Sequence, residues 1–131
     1  MSIFKEYSAQ ILILLFFIIT YLFSVTEKLA DWKGTISYYT NHFKGTLFQN
    51  IVPLLLINVV ILEVLTVISL LFGLYFIIQQ DTFLLAKIGL EISAITLLSF
   101  LVGQRIAKDY QGAMNITVYF ILNCIGIYLL T

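Results

Sequence analysis

Charge is scarce in this chain. Asp, Glu, Lys and Arg supply 11% of its 131 residues, where soluble domains carry about 25%, and seven basic against seven acidic residues leave a formal net charge of zero. A water-soluble globule of this size could not hide the apolar surface that remains, and the basic clusters that nucleic acid requires are missing. Cysteine is nearly absent as well: Cys124 stands alone, which excludes an internal disulfide, and no CxxC or Cys/His cluster has metal-ligand spacing. Structural zinc, iron–sulfur and dithiol chemistry within one chain are therefore disfavoured. The single proline, Pro53, falls in the first turn of a predicted helix, where a missing N–H does least harm.

What the chain has in abundance is apolar length. It is 61% hydrophobic with a mean hydropathy of +1.04, and a bilayer core requires about 20 mostly apolar residues as helix. Four such runs occur, at 10–26, 51–78, 83–103 and 113–130. They predict an all-α integral membrane four-helix bundle, a single transmembrane domain over 1–131. Lys5 followed by the first run has the look of a signal peptide, but no small-x-small cleavage site follows, so it reads as a retained span. The second run is longer than a bilayer requires and is expected to tilt or project.

The long connection between the first two spans has a pattern of its own. Leu29, Trp32, Ile36, Tyr39 and Phe43 recur at spacings of three and four, with Asp31, Lys33, Thr35, Asn41 and Lys44 mainly on the other face. That predicts an amphipathic helix over about 29–44 lying at the membrane interface, ended by Gly45. The second connection is a tight turn with Asp81 or Thr82 as a natural N-cap. Lys28, Lys33, Lys44, Arg105 and Lys108 crowd the face shared by the first and third connections, which the positive-inside rule places in the cytoplasm.

Ionisable residues within apolar runs are costly in lipid and mark candidate sites. At about 1.5 Å per residue, Glu63 and Glu91 fall roughly 18 and 20 Å from the same face, with Asn123 and Cys124 at about 15–18 Å. Lys87 lies one turn from Glu91, spaced to neutralise it. Glu63, Lys87, Glu91 and Asn123 thus form a candidate midplane polar layer. Two readings compete for it: interhelical hydrogen bonds that hold the bundle in one arrangement, or a carboxyl kept protonated by desolvation for proton exchange with a redox ligand or transported species. A second candidate cluster gathers at the end of the bundle: Glu27, Trp32, Tyr39, His42, Arg105, Asp109 and Tyr110. There Arg105 and Asp109 are spaced as an i,i+4 pair, and the aromatic residues suit the mouth of a site for an amphipathic ligand such as a quinone. The bland alternative is that these residues only close the bundle. Gly89, Gly103, Gly112, Ser93 and Ala94 are packing signals.

Thr26-Glu27-Lys28-Leu29-x-Asp31-Trp32-x-Gly34-Thr35, the following His42-Phe43, and Gly103-Gln104-Arg105-Ile106-Ala107-Lys108-Asp109-Tyr110-x-Gly112-Ala113 resemble the DoxX family, in its MauE/DoxX-like branch, as does the acidic residue in Ile61-Leu62-Glu63-Val64-Leu65. The resemblance covers essentially the whole chain. It implies a four-helix membrane fold akin in layout to the vitamin K epoxide reductase type, residence in the bacterial cytoplasmic (inner) membrane, and an association with redox biology. Related disulfide-generating enzymes use cysteine pairs, and a lone Cys124 departs from that pattern.

The expected function is that of a redox-associated auxiliary subunit that binds quinone or lipid, with membrane lipids and other membrane-protein subunits or further copies of itself as partners and no nucleic acid. No cofactor is certain, and quinone is the candidate. Rival expectations are a structural or assembly subunit of a larger complex, and a small transporter or proton-conducting subunit working through Glu63 and Glu91. Nothing pairs a nucleophile with a base or gathers metal ligands, so enzymatic activity of the isolated chain is disfavoured.

Overall fold

The computed structural model describes residues 5–131 and is all-helical among them. Helix α1 covers Ser8–Ala30, α2 Trp32–His42, α3 Val52–Gln80, α4 Leu84–Ile106 and α5 Tyr110–Leu129, with a single 3₁₀ turn at Gln49–Ile51 leading into α3. Four of these helices, α1, α3, α4 and α5, are long and apolar enough to cross a membrane. The chain is a multi-pass integral membrane protein by that measure. Each of the four helices overruns its apolar run at one or both ends, because helix continues through polar residues such as Glu27, Lys28 and Arg105 until a cap or turn stops it.

The helices that follow one another pack side by side. α3 lies against α4, α4 against α5, and α1 closes the ring by packing on both α3 and α5. This is an up-down-up-down bundle with short turns at two of its three connections. Its core is a continuous cluster that includes Leu14, Phe17, Tyr21, Leu70, Ile77, Leu90 and Leu97. Large apolar side chains also cover the outside, among them Phe23, Leu54, Phe72, Ile95 and Val118, as lipid-facing helices require.

Two local expectations are corrected. The helix expected over 29–44 is interrupted at Asp31, whose backbone leaves the helical region and whose carboxylate accepts a hydrogen bond from Gly34 N at 3.1 Å. Asp31 is an N-cap, not a member of a polar face, because a short acidic side chain satisfies the orphan amides of a new helix better than it extends an old one. Leu29 accordingly belongs to α1. At the second turn Asp81 does not cap α4. It sits in the left-handed region at φ 54° and terminates α3, while α4 starts without a side-chain cap. Asp81 also faces Tyr7, whose ring stands edge-on to Phe83 at 5.0 Å, and its carboxylate is the main cause that pushes the Tyr7 phenol up to about 12. Pro53 sits in the first turn of α3, as its chemistry requires.

The bundle is closed at one end and open at the other. Near the α3–α4 turn a Cβ on Gly73 would come within 2.5 Å of the Ala86 backbone, and one on Gly89 or Gly126 would meet Leu70 or Leu90 at 2.7 Å. Small residues there let the backbones touch. At the α2 end a cleft lies between α2, α3 and α4. Gly73→Ala should therefore destabilise the protein by about 2 kcal/mol, the usual cost of overpacking, whereas Gly45→Asn should change stability by less than about 0.5 kcal/mol, because Gly45 has φ 77° and open space around its Cα and Asn accepts that conformation. Reversible unfolding of the detergent-solubilised variants measures both.

Candidate functional site

A buried ion pair lies beside the cleft at the α2 end, and its lysine reaches the cleft wall. Glu63, on α3, is fully buried, and its Oε1 lies 3.1 Å from Lys28 Nζ at the end of α1. Nζ also donates to Glu63 Oε2 at 3.5 Å and to Ser24 Oγ, and stands 5.8 Å from the centre of the Phe100 ring. The Oε1 contact is electrostatic, since no donor is aligned on that oxygen. Side-chain direction explains the pairing. Helical side chains lean toward their own N-terminus, so Lys28 leans inward from the end of α1 while Glu63 leans outward along α3, and the two meet between their backbone levels. Counting backbone depth alone leaves them apart, which is why sequence reasoning placed Glu63 in a layer with Lys87 and Glu91.

That layer does not assemble. Glu91 is exposed on the outside of α4, Lys87 is half-buried one turn away, and no ion pair joins them among the described residues. Glu63 and Glu91 face different surroundings. Asn123 is buried and donates to Leu90 O at 2.9 Å, tying α5 to α4, and its Oδ1 has no partner. Cys124 points out of the bundle. A polar contact the sequence did not disclose crosses the bundle diagonal, where Tyr21 Oη and Ser93 Oγ share a hydrogen bond of 2.8 Å. Its signal was a tyrosine and a serine each on the inward face of its span, with no charge to draw attention to them.

The second cluster divides. His42 Nε2 lies 3.3 Å from Gln104 Oε1 and 3.8 Å from Asp109 Oδ2, so α2 is tied to the end of α4. Asp109 also caps α5 by accepting from Gly112 N at 2.9 Å. The expected Arg105–Asp109 pair is not formed: Arg105 is exposed and its guanidinium lies over the Tyr110 ring at 5.4 Å. Capping and pairing compete for one carboxylate, and the cap takes Asp109. Glu27 is exposed, and Trp32 is half-buried on α2.

Between α2, α3 and α4 these residues enclose a cavity of about 380 Å³, within the range of small-molecule sites. Its walls are chiefly apolar, from Phe43, Phe48, Val52, Leu55, Leu56, Val59, Leu62 and Phe100, while Lys28, Tyr39, His42 and Gln104 supply polar atoms. Asn58, Ile61 and Ser99 line it where they are exposed on the outer surface, so the cleft opens along the bundle's flank. A shallower, polar hollow between α1 and α2 shares Lys28 and Tyr39 with the cleft and adds Ser24, Glu27, Asp31 and Thr35. Burial pushes the Tyr39 phenol up, with Tyr38, Glu63 and Glu27 acting in the same direction. Tyr39 is accordingly a neutral hydrogen-bond donor between the two spaces.

No family model matches this chain, and no curated protein or solved structure matches it either. The chemistry of the cleft itself carries the functional reading.

Replacing one member of the ion pair should cost more than replacing both. Glu63→Leu alone strands a lysine in an apolar wall and is expected to destabilise by about 3 kcal/mol, whereas Glu63→Leu with Lys28→Met should recover all but about 1 kcal/mol. Unfolding of the two single variants and the double variant in detergent closes the cycle, and additive losses would show that Lys28 and Glu63 do not interact.

Proposed function

We propose that this chain is a DoxX-like, redox-associated auxiliary membrane protein that holds a neutral amphipathic molecule of the quinone class in the cleft between α2, α3 and α4. One observation carries the reading: an apolar cavity of about 380 Å³ that opens along the bundle's flank and has hydrogen-bonding side chains on one part of its wall. A ring enters such a cleft from the lipid, its tail remaining in the bilayer.

Charge selects between the two ligand classes. Lys28 is the cleft's one lysine or arginine and is already engaged by Glu63, so an anionic headgroup would gain little attraction. Carbonyl oxygens gain what the wall offers, hydrogen bonds from Tyr39, Gln104, His42 or Lys28. In this reading α2 lies at the membrane surface as the roof of the cleft, with Trp32 and the exposed Tyr38 at headgroup depth. Residence in the bacterial cytoplasmic membrane and service to a larger redox assembly belong to the same proposal. A proton-conducting role is less well supported, because Glu63 and Glu91 do not share a path.

Trp32 is the chain's one tryptophan and a ready probe. Titrating short-chain ubiquinone or menaquinone analogues into the detergent-solubilised protein should quench its emission saturably. Val59→Phe, which fills the cleft, should weaken binding about tenfold or more, while Val118→Phe on the outer face of α5 leaves it unchanged. Phosphatidylglycerol should not compete. Linear, unsaturable quenching, or equal effects of the two substitutions, would remove the ligand from the proposal.

A further inference from the structure

The outer face of α4 carries a feature that a lipid-facing helix should lack. Leu84, Ile88, Glu91, Ile95, Leu98, Val102 and Arg105 are exposed along one stripe, spaced alternately by four and three residues. Glu91 lies roughly 10 Å inside the nearer end of the helix, about two turns. On the other spanning helices the residues exposed along the middles are uncharged: apolar ones such as Leu15, Phe16 and Ile19 on α1, Leu65, Ile68 and Leu71 on α3, and Val118 and Ile121 on α5, and polar ones such as Asn58 on α3 and Thr117 and Cys124 on α5. Among the described residues Glu91 is the one ionisable side chain exposed that far from the ends of a spanning helix. A carboxyl at such depth is costly against hydrocarbon and in membrane proteins faces protein or water.

We infer that this stripe is an interface between two copies of the chain. A 3–4 spacing is the geometry of a seam between parallel helices crossing at about 20°. Every copy inserts with the same orientation, so two α4 helices related by an axis along the membrane normal run parallel with their Glu91 residues at one depth. The patch is complementary to itself: each copy brings one carboxylate and, one turn away, the half-buried Lys87, so at that level the joined seam holds two of each sign, while Arg105 lies at the far end of the stripe over the Tyr110 ring. Isologous contact sets Glu91 of each copy within reach of Glu91 and Lys87 of the other. The Cα of each Ile95 lies one turn further along the same seam. Polar groups of this kind hold spanning helices together where lipid offers them nothing. The cleft lies on the other side of α4 from this stripe, and the association does not depend on a ligand.

Disulfide trapping in vesicles tests it. In a Cys124→Ser background, purified protein carrying Ile95→Cys is reconstituted at high dilution in phosphatidylcholine and phosphatidylglycerol, with Leu71→Cys on the outer face of α3 as control. Ile95→Cys should give about tenfold more covalent dimer than the control. Adding Glu91→Leu should lower its yield about tenfold, the effect of losing one or two interhelical hydrogen bonds, while Glu91→Gln, which keeps hydrogen-bonding capacity, should stay within about twofold. The Glu91 side chain points away from the core, and unchanged thermal melts of both variants confirm that the bundle is intact. Equal trapping at positions 95 and 71, a Glu91→Leu yield like that of the parent, or trapping only with other proteins in native membranes would each overturn the inference.

Discussion

The structure depends on one constraint: a polar atom in a bilayer has no water to fall back on and must find its partner within the protein. Lys28 and Glu63 show what that does to a fold. Neither side chain is tolerable alone in hydrocarbon, and their contact fixes the end of α1 against α3 at one register and one rotation. Ser24 takes up part of the ammonium's remaining hydrogen-bonding capacity, and Phe100 closes the apolar side. Lys28 also lines the cleft, so the pair places one of its polar atoms in the cleft wall. One interaction thus sets both the geometry of the open end and the chemistry of its wall.

The remaining buried polar groups follow the same rule at lower stakes. Thr66 and Thr96 turn their hydroxyls back to the carbonyls one turn earlier on their own helices. Tyr21 and Ser93 satisfy each other across the diagonal, and Asn123 fastens α5 to α4. These contacts, with the close approaches at Gly73, Gly89 and Gly126, hold the four helices together. The α2 end has ties of its own, among them Lys28 on Glu63, His42 on Gln104 and the Asp31 and Asp109 caps. The apolar cleft lies at this end, and that is where the proposed guest would sit.

Hydropathy made the four spans legible, because length and apolar character are one-dimensional properties that each segment carries by itself. The place of Pro53 in the first turn of α3 was legible from the proline's own missing N–H. What failed required knowledge of direction or competition. Glu91 and Glu63 share a depth by residue count, but only helix rotation decides which faces inward, and the i,i+3/i+4 pattern of α4 is apolar on both sides. Arg105 and Asp109 are spaced for a pair, yet the cap position of α5 claims the carboxylate first. Asp31 broke the expected amphipathic helix by the same preference. Lys28 was counted by its backbone level, and its inward lean, which brings it to Glu63, follows only once the helix polarity is applied to the side chain.

The two faces of α4 show how one helix divides its work. Inward, Leu90, Ser93, Thr96 and Leu97 are buried against the bundle, and Ser99, Phe100, Gly103 and Gln104 form a wall of the cleft. Outward, the stripe through Glu91 carries a charge that the isolated chain leaves uncovered. The chain meets its other buried polar groups with partners, apart from single oxygens on Glu63 and Asn123, so an unmet carboxyl on the outside is out of keeping with the rest of the molecule. A second copy packed on that face, as we infer, would supply the missing cover. The seam spacing and the paired signs of Lys87 and Glu91 favour a second copy, which would place two clefts in one assembly, each flanked by an α4 whose outer side is buried.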